Sequence, residues 1–110
     1  MYLLFNLLVI KNKNVWLNYH HLYYFMVVAI EGSIASASKK LSIGQSALSI
    51  QLKQFEDSIS VKLFERSHRK LKLTENGKIA LEYANEVFKM GNEMLETLHD
   101  YPTINRVHVQ

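Results

Sequence analysis

The 110-residue chain has 48% apolar residues, 13 Lys or Arg against 10 Asp or Glu, no cysteine and one proline. Its length fits one small domain with an appendage and excludes a two-domain enzyme, and its apolar content excludes a disordered chain. Without cysteine it has no disulfide framework, thiol nucleophile or thiolate metal site, as suits a cytoplasmic protein.

The net charge of +3 is unevenly spread, with +2 over residues 1–17, +4 over 18–74 and −3 over 75–110. Positive charge is densest between Lys62 and Lys72, where Lys62, Arg66, Arg69, Lys70 and Lys72 meet only Glu65. A cluster of this kind suits an anionic partner such as nucleic acid, with a merely solvated turn as the alternative.

Tyr2–Ile10 is almost wholly apolar and is followed by Lys11-Asn12-Lys13-Asn14. Nine residues are too few for a membrane span, which needs about 20. A secretion signal would carry its positive charge before the apolar run and a small-residue cleavage site after it. Residues 1–16 therefore read as an extension outside the domain, from an upstream start codon, with a packed extra helix or strand as the second reading.

From Leu17 the pattern is helical. Leu22, Phe25, Val28 and Ala29 recur at helical spacing, Asn18 suits the N-cap and Gly32 the C-terminal stop. Ser33 can cap a short helix over 34–41 that sets Ile34, Ala37 and Leu41 on one face, with small residues beside them for close helix approach. After the break Ser42-Ile43-Gly44, a third helix is predicted over about 45–57, with Leu48, Leu52, Phe55 and Ile59 facing inward. Two short helices joined by three residues that include glycine carry the helix-turn-helix signature, which small helical bundles share. The third helix sharpens it. Its polar face of Gln45, Ser46, Ser49, Lys53 and Gln54 bears amides and hydroxyls and no acid before Glu56, and these groups hydrogen-bond base edges in a major groove.

Val61 and Leu63, then Leu71 and Leu73, alternate with polar residues and predict two short strands around the tip Ser67-His68-Arg69-Lys70. A basic hairpin after a helix-turn-helix is a wing, able to reach phosphates or a narrow minor groove. A long helix is predicted from Thr74, its cap, to about Leu98. Ala80, Ala84, Val87, Gly91, Met94 and Leu98 form a heptad seam, widened by Leu81, Phe88 and Leu95, while the charges fall elsewhere. Packing on its own domain would use part of this seam. A dimer is preferred because a helix of this length overshoots a domain of some 57 residues, which gains from association.

Residues 17–98 resemble the N-terminal part of LysR-type transcriptional regulators. The resemblance is carried by Gly32-Ser33, Leu41, Gln45, Ala47-Leu48-Ser49, Gln51-Leu52, Phe55-Glu56, Val61-Lys62-Leu63-Phe64-Glu65-Arg66 and Leu73-Thr74-Glu75-Asn76-Gly77. Leu17–Phe25 and Tyr83–Phe88 look most like the branch of activators of the bacterial sodium/proton antiporter gene. The resemblance implies a mainly α fold: a winged helix-turn-helix over 17–74 with a small two-stranded wing, then a long linker helix over 75–98 that makes a homodimer. The implied partner is double-stranded DNA. Gln45, Ser46, Ser49 and Ile50 would face the major groove, Ser33 and Lys53 the phosphates, and Arg69 the minor groove. Lys70 belongs to the same basic tip, and Arg66 matches an arginine that serves fold as well as DNA.

Three residues depart from the family pattern. Ser46 stands where proline is common, Ile50 where arginine is common, and Ser60 where glycine is usual at the turn into the wing. Ile50 exchanges a charge for an apolar contact suited to a thymine methyl, so altered specificity is expected. Ser60 in a left-handed conformation would cost on the order of 1 kcal/mol. Residues 99–110 read as the truncated start of an effector domain, with Arg106–Gln110 alternating like its first strand, so a small-molecule effector is not expected. An enzyme is disfavoured: His20, His21, His68, His99 and His108 hold no metal-ligand spacing, and no phosphate loop appears. No cofactor or metal is expected. The alternative function is a shortened dimerisation partner that interferes with a full-length regulator.

Overall fold

A computed structural model describes residues 16–67 and 70–108. Three helices, α1 (Tyr19–Glu31), α2 (Ile34–Leu41) and α3 (Gln45–Ile59), precede a hairpin of β1 (Phe64–Ser67) and β2 (Lys70–Leu73), and the long α4 (Glu75–His108) follows. Residues 1–15 of the N-terminal extension, His68 and Arg69 between the strands, and Val109 and Gln110 lie outside the described residues.

The helix ends follow from their capping residues. Asn18 Oδ1 accepts from His21 N–H at 3.0 Å and Ser33 Oγ from Ser36 N–H at 3.1 Å, each satisfying an amide that the first turn leaves unpaired. Gly32 ends α1 at φ 81°, a conformation open to glycine at little cost. Helices α2 and α3 end instead on serines in the left-handed region, Ser42 at φ 55° and Ser60 at φ 56°. Both stops are closed by backbone bonds, Ile43 N–H to Ser38 O and Val61 N–H to Glu56 O, each 3.1 Å. The half-buried Ile43 and Val61 then turn back onto the core, and that burial offsets the strain at the serines.

Phe25 is the centre of the core. It is fully buried, with Phe55 of α3 at 6.2 Å and Phe64 of β1 at 5.4 Å between ring centroids. Leu22, Val27, Val28, Ala37, Leu48, Leu52, Leu63 and Ala84 complete it, so every helix and the hairpin root contribute. The zero exposure of Ala37 reflects the close approach of α2 that its small residues permit.

The hairpin is antiparallel, pairing Phe64 with Leu73 and Ser67 with Lys70. The first strand starts at Phe64, later than the alternation from Val61 predicted. The reason lies in the backbone bonds of Leu63, whose N–H donates to Glu56 Oε2 at 2.6 Å while its carbonyl accepts from Thr74 N–H at 3.0 Å. Thr74 Oγ1 donates to Lys62 O at 2.7 Å and accepts from Gly77 N–H at 2.9 Å, which both ties down the wing root and caps α4. Gly77 is required by proximity: a Cβ there would lie 2.1 Å from Leu63 O.

Helix α4 continues past Leu98 to His108, so Arg106–His108 are helical and do not open a strand. A lone strand has no ladder partner, whereas helical residues bond within their own segment. The apolar seam of α4 divides. Ala84 is fully buried, Phe88 packs on Tyr19 and Tyr23 of α1 at 4.7 and 5.4 Å, and a Cβ at Gly91 would lie 3.4 Å from the Tyr19 hydroxyl. Ala80, Leu81 and Val87 are half-buried against the same core, and Met94, Leu95 and Leu98 remain exposed.

Two stability predictions follow from this packing. Gly77→Ala drives a Cβ against the Leu63 carbonyl and is expected to lower stability by about 1–3 kcal/mol, read from the urea midpoint, whereas Gly91→Ala meets only ordinary contact and should be neutral to stabilising by up to about 1 kcal/mol. Glu31 accepts from Ser36 Oγ at 2.6 Å and lies 3.4 Å from Lys40 Nζ; that hydrogen bond, followed by Lys40, holds its carboxyl below the ordinary carboxylate range. The resulting stabilisation is present above the unfolded-state pKa and lost as pH falls through the lowered folded value. Glu31→Gln should therefore flatten part of the acid limb of a stability-versus-pH curve.

Candidate nucleic-acid interface

The inward face of α3 is used by Leu48, Leu52 and Phe55, which leaves Gln45, Ser49 and Lys53 on an outward stripe one turn apart. A cleft between the helix-turn-helix and the wing is lined by Gly32, Ser33, Gln45, Ser49, Arg66 and Lys70, together with Ile34, Ala35 and Leu71. Five of the residues expected to contact DNA thus share one concavity, although they come from α3, both strands and the N-cap of α2. A second cleft, on the other side of Ser49 and Arg66, adds Ile50, Lys53 and Lys62. Ser46 is exposed on the first turn of α3 and lines neither cleft.

The electrostatics of the first cleft are one-signed. Arg66 and Lys70 line it, no carboxylate does, and neither α2 nor α3 has an acid in its first turn. The N-terminal turn of α2 and the first residue of α3 both border it, so two positive helix-dipole ends add to the two cations. Gly44 supplies no side-chain cap to α3. Ser33 spends an oxygen lone pair on its cap and keeps its hydroxyl hydrogen as a donor. Lys53 shares its charge with Asp57 at 3.6 Å, an exposed pair worth little. Ile50 is 56% exposed on the helix surface, an apolar side chain without burial.

Two contributors escape a reading by residue type alone. Lys62 joins the second cleft, as its place in the basic cluster could have suggested. His21 on α1 donates from Nε2 to Gln51 Oε1 on α3 at 2.7 Å and stacks near Phe55, tying the two helices together. That bond spans 30 residues and has no local signature. Among the described residues, no group of three or more His, Asp or Glu side chains is arranged to hold a metal ion, and no helix is long and apolar enough to cross a membrane.

The architecture and the site have close counterparts. Residues 19–78 match the family described as bacterial regulatory helix-turn-helix protein, lysR family. A probable RuBisCO transcriptional regulator from Cyanidioschyzon merolae is 38% identical over 76 residues, covering 69% of this chain and 25% of that protein. The transcriptional activator protein NhaR of Escherichia coli is 35% identical over 83 residues, covering 76% of this chain and 28% of its own. The chain thus spans about a quarter of the length of these curated relatives. Among solved structures, the DNA complex of the CbnR DNA-binding domain has a TM-score of 0.72 at 30% identity, covering 78% of this chain and 99% of that one. The complex of the BenM DNA-binding domain with catB site 1 DNA likewise has a TM-score of 0.72, at 31% identity, covering 76% of this chain and 92% of that one. By element order, wing and sequence alike, the chain belongs to the LysR family of bacterial regulatory helix-turn-helix proteins.

Proposed function

We propose that this chain is the DNA-reading part of a LysR-type transcriptional regulator, with α3 in the major groove and the basic wing reaching the minor groove. The observation that carries the proposal is the acid-free cleft in which Ser33, Gln45, Ser49, Arg66 and Lys70 converge beside two helix N-termini. Gln45 and Ser49 supply base-edge contacts, and Ser33, the cations and the dipole ends supply phosphate contacts. The solved DNA complexes of the CbnR and BenM domains support the same assignment. Arg69, at the tip, is the residue proposed to enter the minor groove. The reading involves no catalysis, metal or cofactor, places the protein with cytoplasmic DNA, and by its likeness to NhaR favours an activator.

The test is binding to duplexes selected from random sequence. Affinity should fall with salt at a log–log slope of about −0.9 per phosphate neutralised, and failure to bind any duplex at low salt would overturn the reading. Repeating the selection with Ile50→Arg should change the preferred base opposite position 50. An unchanged preference would show that Ile50 reads no base.

Helix α4 is proposed to make the homodimer. The residues that carry this are apolar side chains of α4 left more than half exposed, Met90, Met94, Leu95 and Leu98, with Ile79 and Tyr83 likewise exposed nearer its start. A second copy would cover them, adjoining Ala80, Ala84, Val87, Phe88 and Gly91. The same stripe supports a second reading, a mixed dimer with a longer family member that weakens its action. Met94→Glu with Leu98→Glu should give a folded monomer by sedimentation, whose melting temperature no longer depends on protein concentration, because neither side chain is buried in the domain. Loss of folding would show that the stripe serves the domain itself.

A further inference from the structure

Among the described residues, Glu56 is the one acid lining the two clefts on the proposed DNA-facing surface. A carboxylate beside a polyanion is repelled, so its presence there asks for a compensating task. Its contacts supply one. Glu56 Oε2 accepts from two consecutive backbone amides at the wing root, Leu63 N–H at 2.6 Å and Phe64 N–H at 3.0 Å. Hydrogen bonds to an ionised acceptor are about twice as strong as neutral ones, and two amides on one oxygen fix the direction of the peptide planes as well as their position. Glu56 lies seven residues after Ser49 on α3, two turns along the same stripe. The helix proposed to read bases therefore also grips the root of the hairpin that carries Arg66 and Lys70.

We propose that Glu56 is a positioning residue for DNA recognition, setting the wing at the angle to α3 that lets Arg66 and Lys70 engage the backbone while α3 is seated. This rests on the DNA-reading assignment above. Burial of Leu63 and the packing of Phe64 on Phe25 place the wing root in the core. Thr74 fastens the root to the start of α4, and the two amide bonds to Glu56 add the direct link to α3 that would set the angle between wing and helix.

Double-mutant cycles on the selected duplex, run well below the melting temperature, test the idea. Lys70→Ala should cost affinity in the parent and at least about threefold less in a Glu56→Ala background, while Gln45→Ala costs the same factor in both. Glu56→Gln, which keeps one acceptor oxygen, should restore part of the coupling. In the protein without DNA, Glu56→Ala should speed amide exchange over the described wing residues and leave the core of α1 and α3 unchanged. Equal costs of Lys70→Ala in both backgrounds, or exchange accelerated evenly throughout the chain, would reduce Glu56 to a stabilising residue and overturn the inference alone. If the parent binds no duplex, the DNA reading falls and takes the inference with it.

Discussion

The backbone of Leu63 is the point on which the molecule depends. Its N–H is held by Glu56 from α3, its carbonyl by the Thr74 amide at the start of α4, and its side chain is buried in the core. Gly77 allows α4 to pass against that carbonyl. One residue between elements thus joins α3, the hairpin and α4. Because both bonds are made by the backbone groups of Leu63, the arrangement tolerates little drift: a polar group orphaned there costs on the order of 1–3 kcal/mol.

The same economy governs α3. Its inward residues belong to a core centred on Phe25, so its outward residues are fixed without making contacts of their own. A side chain such as Gln45 or Ser49 needs only a rigid helix beneath it to be aimed, and α1 provides that through the tilted contact of the Phe25 and Phe55 rings and the His21–Gln51 bond. The basic side chains come from the hairpin, where length and reach matter more than rigidity. The surface therefore divides between short groups on a helix and long cations on a ribbon, a division suited to reading bases in one place and holding phosphates in another.

Much of this is legible in the sequence because it is local. Asn18, Ser33 and Thr74 mark helix starts by their capping chemistry, Gly32 marks a stop, and the spacing of Leu48, Leu52 and Phe55 identifies the buried face of α3. The strand boundary at Phe64 was not legible, since it is set by Glu56 seven residues away in sequence and by Thr74 across the hairpin. The left-handed stop at Ser60 stands where the family pattern has glycine, but that at Ser42 carries no residue signal, because hydrogen bonds back into α2 close it. The heptad seam was read as one surface, yet its first turns serve α1 and its later turns are bare. A periodic pattern records that a face is apolar and is silent about which partner covers which turn.

The seat of Phe88 between Tyr19 and Tyr23 has a mechanical meaning. Helix α4 has its last contact with the domain near Gly91 and runs on to His108, a projection of roughly 25 Å at about 1.5 Å per residue. A tilt of only about ten degrees at that aromatic seat displaces the far end by some 4 Å, by the same rise per residue. In a dimer built on α4 the seat is the fulcrum of a lever. In such a dimer the spacing of the two domains would be governed by these three aromatic rings.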